Sequence, residues 1–222
     1  MTSIADDITV FSPHMLKLFQ SCPAKFYYRY IEQIPSPVHD KGFQTGRNIH
    51  ALASYYLKGI NIAKFEEVLS AKETEMWKRL KSKKYFDYEI IGIEKSIISR
   101  IKNYWIGGRL DALVKKDKDY YILDYKTGGV DIDMRYDLQT MVYLTTCDRF
   151  IENYDSLSFV YIDLKEDKEV TVLYNSDLKE EYTQKLTDLC MSIEKFDISK
   201  YNKPDFCKCE YEKLCITQGF NN

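Results

Sequence analysis

Residues 105–128 read WIGGRLDALVKKDKDYYILDYKTG and decide the fold. Two runs rich in apolar residues flank the charged segment KKDKD, and this pattern predicts an antiparallel hairpin. If the hairpin is symmetric about its charged segment, Lys115 pairs with Tyr120 and Asp111 lies directly opposite Asp124. The sequence therefore predicts two carboxylates at facing positions of adjacent strands.

The facing carboxylates indicate a cation site. Directly paired residues have Cβ atoms roughly 4.5–5.5 Å apart, so Asp111 and Asp124 could bind one divalent cation and would repel each other without it. Lys126 is two residues beyond Asp124 and projects from the same face. The alternative is a solvated strand face, because 30% of the residues are charged and exposed ion pairs contribute little.

The strings GRLD and ILDYKTG resemble the catalytic core of the PD-(D/E)XK nucleases, specifically the RecB-like branch with its AddB subunits and CRISPR-associated iron-sulfur exonucleases. The resemblance implies an α/β fold in which a central mixed β-sheet is flanked by helices, the restriction-endonuclease-like core. It also implies that Asp111 and Asp124 bind Mg²⁺ or Mn²⁺, with the backbone carbonyl of Tyr125 as a further ligand. Lys126 would then position and activate the attacking water.

Size and composition predict one domain over residues 1–222, with a helical insertion at about 50–85. Hydrophobic residues make up 45% of the chain, and no apolar run approaches the length of a membrane span. The amino terminus lacks the pattern of a signal peptide, so a cytoplasmic protein is expected. The net charge of −2 gives no global field for nucleic acid. DNA contacts must then come from local patches such as the lysines of 78–84, which a solvated helix face explains equally well.

The segment near the amino terminus predicts two short helices with one candidate ligand, Cys22, between them. Ser12 is a good helix N-cap before Pro13, and Cys22 with Pro23 interrupts the helical pattern. A lone cysteine such as Cys22 is usually a small buried hydrophobe. The resemblance instead implies that it is the first ligand of an iron-sulfur cluster.

Residues 43–57 predict a helix that contains His50. A single helical histidine is more often a core or surface residue than a ligand. The spacing Gly46-x3-His50 resembles the RecB-like branch, which implies a metal-binding histidine and a preference for Mn²⁺, since Mg²⁺ favours oxygen donors. Glu94 lies in the predicted strand 88–101, where the family often has an acid, and a structural ion pair is an equal alternative.

The carboxyl-terminal half predicts two further strands, 157–164 and 168–175, and helices over 133–147 and 177–196. Gln139 and Tyr143 are spaced i, i+4 on the first of these helices. They could be an exposed amide beside a core tyrosine. The resemblance identifies them with the Gln-x3-Tyr motif, which implies that they position DNA.

Cys207, Cys209 and Cys215 crowd the carboxyl-terminal segment, which favours metal binding in a cytosolic-type chain. With Cys22 as the fourth ligand, the set could hold zinc or a 4Fe-4S cluster, and the spacing alone does not choose. The resemblance implies 4Fe-4S, formed by segments 12–30 and 204–217. The family spacing is C-x2-C-x5-C, whereas here the first gap is one residue shorter, which puts Cys207 in question.

These patterns together predict a metal-dependent single-strand DNA exonuclease that acts in DNA repair, recombination or CRISPR adaptation, alone or within a larger protein complex. An alternative is a DNA-binding module with a structural zinc or iron-sulfur site, and a redox protein is a third possibility. The intact set of two acids and a lysine argues against the binding module, which has no need of Lys126.

Overall fold

The computed structural model describes residues 8–35, 44–131, 133–202 and 207–217. Phe43 of the predicted helix 43–57 and residues 204–206 of the predicted cysteine segment lie outside these ranges. Over the described ranges, the helices are α1 (Pro13–Ser21), α2 (Pro23–Tyr30), α3 (Gln44–Leu57), α4 (Ala63–Glu66), α5 (Ala71–Lys81), α6 (Leu138–Phe150), α7 (Ser176–Glu194) and α8 (Glu212–Thr217). The strands are β1 (Glu89–Ile101), β2 (Tyr104–Lys116), β3 (Asp119–Lys126), β4 (Ser156–Asp163) and β5 (Lys168–Leu173).

The five strands form one mixed sheet in the order β1-β2-β3-β4-β5. Neighbouring strands are antiparallel except for β3 and β4, which are parallel and are connected through α6. The predicted hairpin register is confirmed, since Lys115 pairs with Tyr120 and the chain turns at Asp117 and Lys118. The expected α/β architecture, a mixed sheet flanked by helices, is therefore present.

Two hydrophobic cores lie on opposite faces of the sheet. One packs α1, α6 and α7 against residues such as Leu110 and Ile122, and the other packs α3 and α5 against residues such as Ala112 and Leu123. Ile122 and Leu123 are consecutive and occupy different cores, as strand alternation requires. Leu110 and Ala112 are two apart yet also occupy different cores. The alternation of β2 side chains between the two faces of the sheet therefore changes phase at Asp111: side chains two residues apart on either side of it point to opposite faces.

The same change of phase occurs on β1. Ile93 packs with the α3 and α5 core, whereas Ile97, four residues on, lies in the opposite core. Between them, Glu94 has a φ of 49°, in the left-handed region that non-glycine residues seldom adopt. Ile93 pairs with Ala112 and Lys95 with Leu110. Both strands are thus irregular at one level of the sheet, where Glu94 and Asp111 lie.

The helices depart from the sequence predictions in two respects. The helix predicted over 133–147 begins only at Leu138, because the Asp137 side chain caps it by accepting from the Gln139 amide. The helical insertion expected at about 50–85 is not set apart from the core, because α3 begins at Gln44 and α5 buries Met76 and Trp77 in the second core.

A buried acid fixes the loop that follows β3. Asp163 at the end of β4 is fully buried, and its carboxylate accepts hydrogen bonds from the amides of Val130, Lys165 and Glu166. These three donors satisfy the buried charge. The loop after Lys126 is thereby attached to β4. None of the helices in the described part of the chain is long and apolar enough to cross a lipid bilayer.

Candidate metal centre

Side chains from three elements converge at the level where the sheet is irregular. His50 comes from α3, Glu94 from β1 and Asp111 from β2. One possible ligand atom of each lies within 4.8 Å of the others. Gly46, one turn before His50, has no side chain, and a Cβ there would contact the Thr127 hydroxyl at 3.4 Å.

The imidazole of His50 lies between two oxygen acceptors. Its Nδ1 is 3.1 Å from Oδ1 of Asp111, and its Nε2 is 2.9 Å from the carbonyl oxygen of Tyr125. The amide of Tyr125 donates to Oδ2 of Asp111 at 3.0 Å, which closes the group. A neutral imidazole has only one N–H, so it cannot donate to both oxygens. A bound cation, or protonation of the ring, removes this mismatch.

The pKa of His50 reflects the negative charges and acceptors around it. Burial by itself lowers this pKa, but the hydrogen bond and negative charge of Asp111, the charge of Asp124 and the Tyr125 carbonyl outweigh it, so that the pKa is raised above its ordinary value. The surroundings of His50 therefore favour positive charge, as a cation-binding site does.

Glu94 takes part in two interactions. Its carboxylate is 2.9 Å from Nε of Arg109 in an ion pair, and it also belongs to the group with His50 and Asp111. The ion pair, one of the two alternatives for Glu94, is present, and the same carboxylate also lies within reach of the other possible ligand atoms. The strained backbone of Glu94 costs on the order of 1 kcal/mol, and such strain concentrates at functional sites. No sequence pattern marks this strain.

Asp124 lies deeper than Asp111. It is 4% exposed, its Oδ1 accepts from the side-chain amide of Gln139, and its Oδ2 is 2.8 Å from Nζ of Lys126. That contact is not aligned as a hydrogen bond, so among the described residues Oδ2 has no hydrogen-bond donor. Burial, and then the charge of Asp111, raise the pKa of Asp124 to about 6 against the opposing effect of Lys126. The negative charge at this buried oxygen is therefore balanced mainly by the neighbouring Lys126 ammonium.

The hairpin does not present Asp111 and Asp124 as the directly paired residues that its symmetry predicts. The ladder between β2 and β3 ends at Ala112 and Leu123, one residue short of that pair. The phase change at Asp111 turns its carboxylate toward His50 and the Tyr125 amide. Glu94, rather than Asp124, therefore completes the closest group of ligand atoms.

Gln139 and Tyr143 share a face of α6 but have different contacts. Gln139 accepts from Nζ of Lys126 at 3.0 Å and donates to Asp124, which holds the lysine and the acid together. Tyr143 is buried, and its hydroxyl donates to the carbonyl oxygen of Arg109 at 2.7 Å. Gln139 thus orients polar groups of the site, while Tyr143 holds β2 in place beside it.

An open cavity of about 520 Å³ exposes the group of possible cation ligands. Its lining includes His50, Glu94, Asp111 and Lys126, together with the Tyr125 residue. The donors comprise one imidazole, carboxylates and a backbone carbonyl, a set that fits Mn²⁺ and, with retained waters, Mg²⁺. The residues present therefore fit a divalent cation.

The four predicted cysteines come together at the other end of α1. Cys22 separates α1 from α2 and packs in a small cluster with Cys209 and the buried Cys215. Cys207 Sγ is 3.9 Å from Cys209 Sγ. In the described ranges, no three cysteine sulfurs lie within 4.8 Å of one another. The fold therefore joins both ends of the chain through cysteines without a preformed single-ion site.

Comparison with known proteins places the chain in a family. The profile of the PD-(D/E)XK nuclease superfamily matches residues 10–105 and 80–216. These overlapping matches cover most of the chain, which therefore belongs to the PD-(D/E)XK nuclease superfamily.

One solved structure has the same fold. A crystal structure from Eubacterium rectale, named "Putative exonuclease", is 10% identical in sequence, covers 86% of this chain and 84% of its own, and has a TM-score of 0.55. The crystal structure of SSO0001 is 16% identical over 95% of this chain and 87% of its own, but its TM-score of 0.43 is too low to support an argument. The search of curated proteins gives no match.

Replacing Glu94 with glutamine tests whether it binds a cation. We expect Glu94→Gln to weaken Mn²⁺ binding at least about tenfold, since an uncharged amide replaces a carboxylate ligand. Isothermal titration calorimetry with Mn²⁺ measures the change. Glu89→Gln is the matched control, because Glu89 also pairs with a cation, Lys115, but lies at the far end of β1. Equal Mn²⁺ affinity in the two variants would leave Glu94 with only its ion pair to Arg109.

Proposed function

We propose that this protein is a metal-dependent nuclease that hydrolyses phosphodiester bonds in DNA. The observation that carries the proposal is the convergence of His50, Glu94 and Asp111 beside the Asp124–Lys126–Gln139 network in an open cavity. The membership of the superfamily supports the same activity.

The proposed reaction assigns a role to each group. His50, Asp111 and Glu94 would hold the divalent cation, with the carbonyl of Tyr125 beside His50. Asp124 would be a further acid of the site, as the family resemblance implies. A bound Mg²⁺ or Mn²⁺ polarises the phosphoryl oxygen and lowers the pKa of a bound water. Lys126 orients the attacking water and stabilises negative charge on the phosphate.

The lysine is preorganised for this role. Its ammonium is held between Asp124 and the Gln139 carbonyl oxygen, while about a third of the side chain remains exposed to the cavity. A fixed ammonium needs no rearrangement as charge develops, which is the condition for strong electrostatic stabilisation. Gln139 would thus act through Lys126, as a positioning residue.

The proposed substrate is single-stranded DNA degraded from a free end. The resemblance to the RecB-like branch supports this specificity, and the name of the Eubacterium rectale structure with the same fold agrees with degradation from an end. We also propose that the protein acts in the cytoplasm. There it would take part in DNA repair, recombination or CRISPR adaptation, with protein partners that present the DNA ends.

Substitution of Lys126 or Asp124 tests the activity. We expect Lys126→Ala and Asp124→Asn each to reduce cleavage of end-labelled single-stranded DNA with Mn²⁺ by at least about 100-fold, because each removes a preorganised charge from the site. Denaturing gels measure the shortened strands. Lys116→Ala on the same hairpin should keep wild-type activity, since Lys116 lies at the turn end of β2.

The same assay separates the possible failures. A circular single strand should stay intact, since an exonuclease needs a free end. Cleavage of the circle would show that the protein is an endonuclease. Full activity in Lys126→Ala or Asp124→Asn would remove the mechanism. An inactive wild-type protein that still binds DNA would favour the binding module.

We also propose that Cys22, Cys207, Cys209 and Cys215 hold a 4Fe-4S cluster. Tetrahedral zinc with Zn–S bonds of about 2.3 Å requires sulfurs about 3.8 Å apart, whereas no three of these cysteine sulfurs lie within 4.8 Å of one another in the described ranges. A cluster in which each cysteine binds a different iron separates the sulfurs more widely. The wider arrangement, as well as the family resemblance, supports iron-sulfur over zinc.

Iron analysis of cysteine variants tests the cluster. We expect the anaerobically purified protein to contain about four irons per chain, and Cys22→Ser and Cys215→Ser to lose this iron and lower the melting temperature, because the cluster joins the two ends of the chain. Cys147→Ala should retain the iron, since Cys147 is buried in the first core. One zinc and no iron in the wild type, or full iron in Cys215→Ser, would contradict the cluster.

A further inference from the structure

A second cavity, of about 300 Å³, lies beside the metal centre. It is bounded by the start of α1, by Gly108 on β2 and by Gln139 and Tyr143 on α6. Its volume is at the lower end of the range typical of ligand sites, roughly 300–1,000 Å³. None of the proposed cation ligands lines it, so the cavity is separate from the metal-binding group.

Gly108 keeps this cavity open. A Cβ at that position would lie 2.9 Å from the Tyr143 hydroxyl and 3.3 Å from Cδ of Pro13. The Tyr143 hydroxyl is already fixed by its hydrogen bond to the Arg109 carbonyl. Any side chain at residue 108 would therefore intrude on the floor of the cavity, which glycine leaves clear.

The second cavity shares lining residues with two neighbouring cavities, and each shared set contains a positive side chain. Arg109 lines both this cavity and the one at the metal centre. Lys17, together with Asp137 and Gln139, lines both this cavity and a third one of about 220 Å³, and Lys126 lines the third cavity and the one at the metal centre. The three adjacent cavities, called here the depression, therefore carry three positive side chains.

Lys17 is held in this position but keeps its charge accessible. Its Nζ is 2.7 Å from Oδ2 of Asp137, whose other oxygen caps α6 at the Gln139 amide. The Lys17 side chain is 66% exposed, so the ion pair leaves most of it open to a ligand. An anion that enters the depression therefore meets the Lys17 ammonium, which Asp137 links to the start of α6 at Gln139.

We propose that the second cavity is a substrate subsite, which binds the nucleotide next to the scissile phosphodiester while Lys17 contacts its phosphate. The proposal rests on the proposed nuclease function and adds the path of the strand along α1. Lys17 is then a binding residue outside the reacting group. Its contribution is electrostatic, because an exposed lysine and a phosphate attract each other in a salt-dependent manner.

Salt-dependent DNA binding tests the subsite. Fluorescence anisotropy of a labelled oligothymidine is measured with the Asp124→Asn protein, whose reduced cleavage allows equilibrium, at several salt concentrations. Adding Lys17→Gln should weaken binding severalfold at low salt and reduce the slope of log K against log salt by about 0.7, the value for one lost phosphate contact on a single strand. Lys17→Arg should restore the slope.

Lys179→Gln is the matched control. Lys179 is 58% exposed and pairs with Asp148 at 2.9 Å, so it resembles the Lys17–Asp137 pair but lies near the other end of α6. Its loss should not change the slope. The double variant Lys17→Gln with Asp137→Asn separates a direct contact from simple neutralisation of Asp137, and it should bind as weakly as Lys17→Gln alone.

The outcomes distinguish this proposal from the nuclease function. Equal slopes for Lys17→Gln and Lys179→Gln, or recovery of binding in the double variant, would overturn the subsite while the wild type still cleaves DNA. A wild-type protein that neither cleaves nor binds single-stranded DNA would overturn the nuclease function, and the subsite with it.

Discussion

The close approach of two carboxylates, Glu94 and Asp111, is the constraint on which the site depends. One possible ligand oxygen of each lies within 4.8 Å of the other, and like charges this close repel each other. Regular alternation along β1 and β2 is interrupted at these two residues, and Glu94 adopts a strained backbone. The fold offsets the repulsion with His50 on one side and Arg109 on the other. A bound divalent cation would offset the remaining repulsion between the two carboxylates.

The sequence predicts the parts of the fold that depend on local patterns. The hairpin register follows from the charged turn, and α1 begins where Ser12 and Pro13 indicate. The phase change at Asp111 and Glu94 could not be predicted, because alternation assumes an unbroken strand. The sequence consequently paired Asp111 with Asp124, whereas the structure groups Asp111 with Glu94 and His50.

The positions of the other candidate residues depend on packing between distant segments. Gln139 reaches Lys126 and Asp124 only because α6 crosses the sheet between β3 and β4. The i, i+4 spacing identified Gln139 and Tyr143 as a pair, but their different contacts follow from the packing of α6 against both β2 and β3. Helix α1 carries Lys17 toward the cavities and ends at Cys22. One short helix therefore connects the cysteine cluster with the proposed substrate subsite, so substitution of the cysteines should loosen the wall that carries Lys17.

The central claim is that the irregular level of the sheet binds a divalent cation. An anomalous difference map, collected at the manganese absorption edge from crystals grown with Mn²⁺, tests it most directly. The account predicts a peak in contact with His50, Glu94 and Asp111, next to the Tyr125 carbonyl. A map with no peak among these residues, or with the manganese bound elsewhere in the protein, would contradict it.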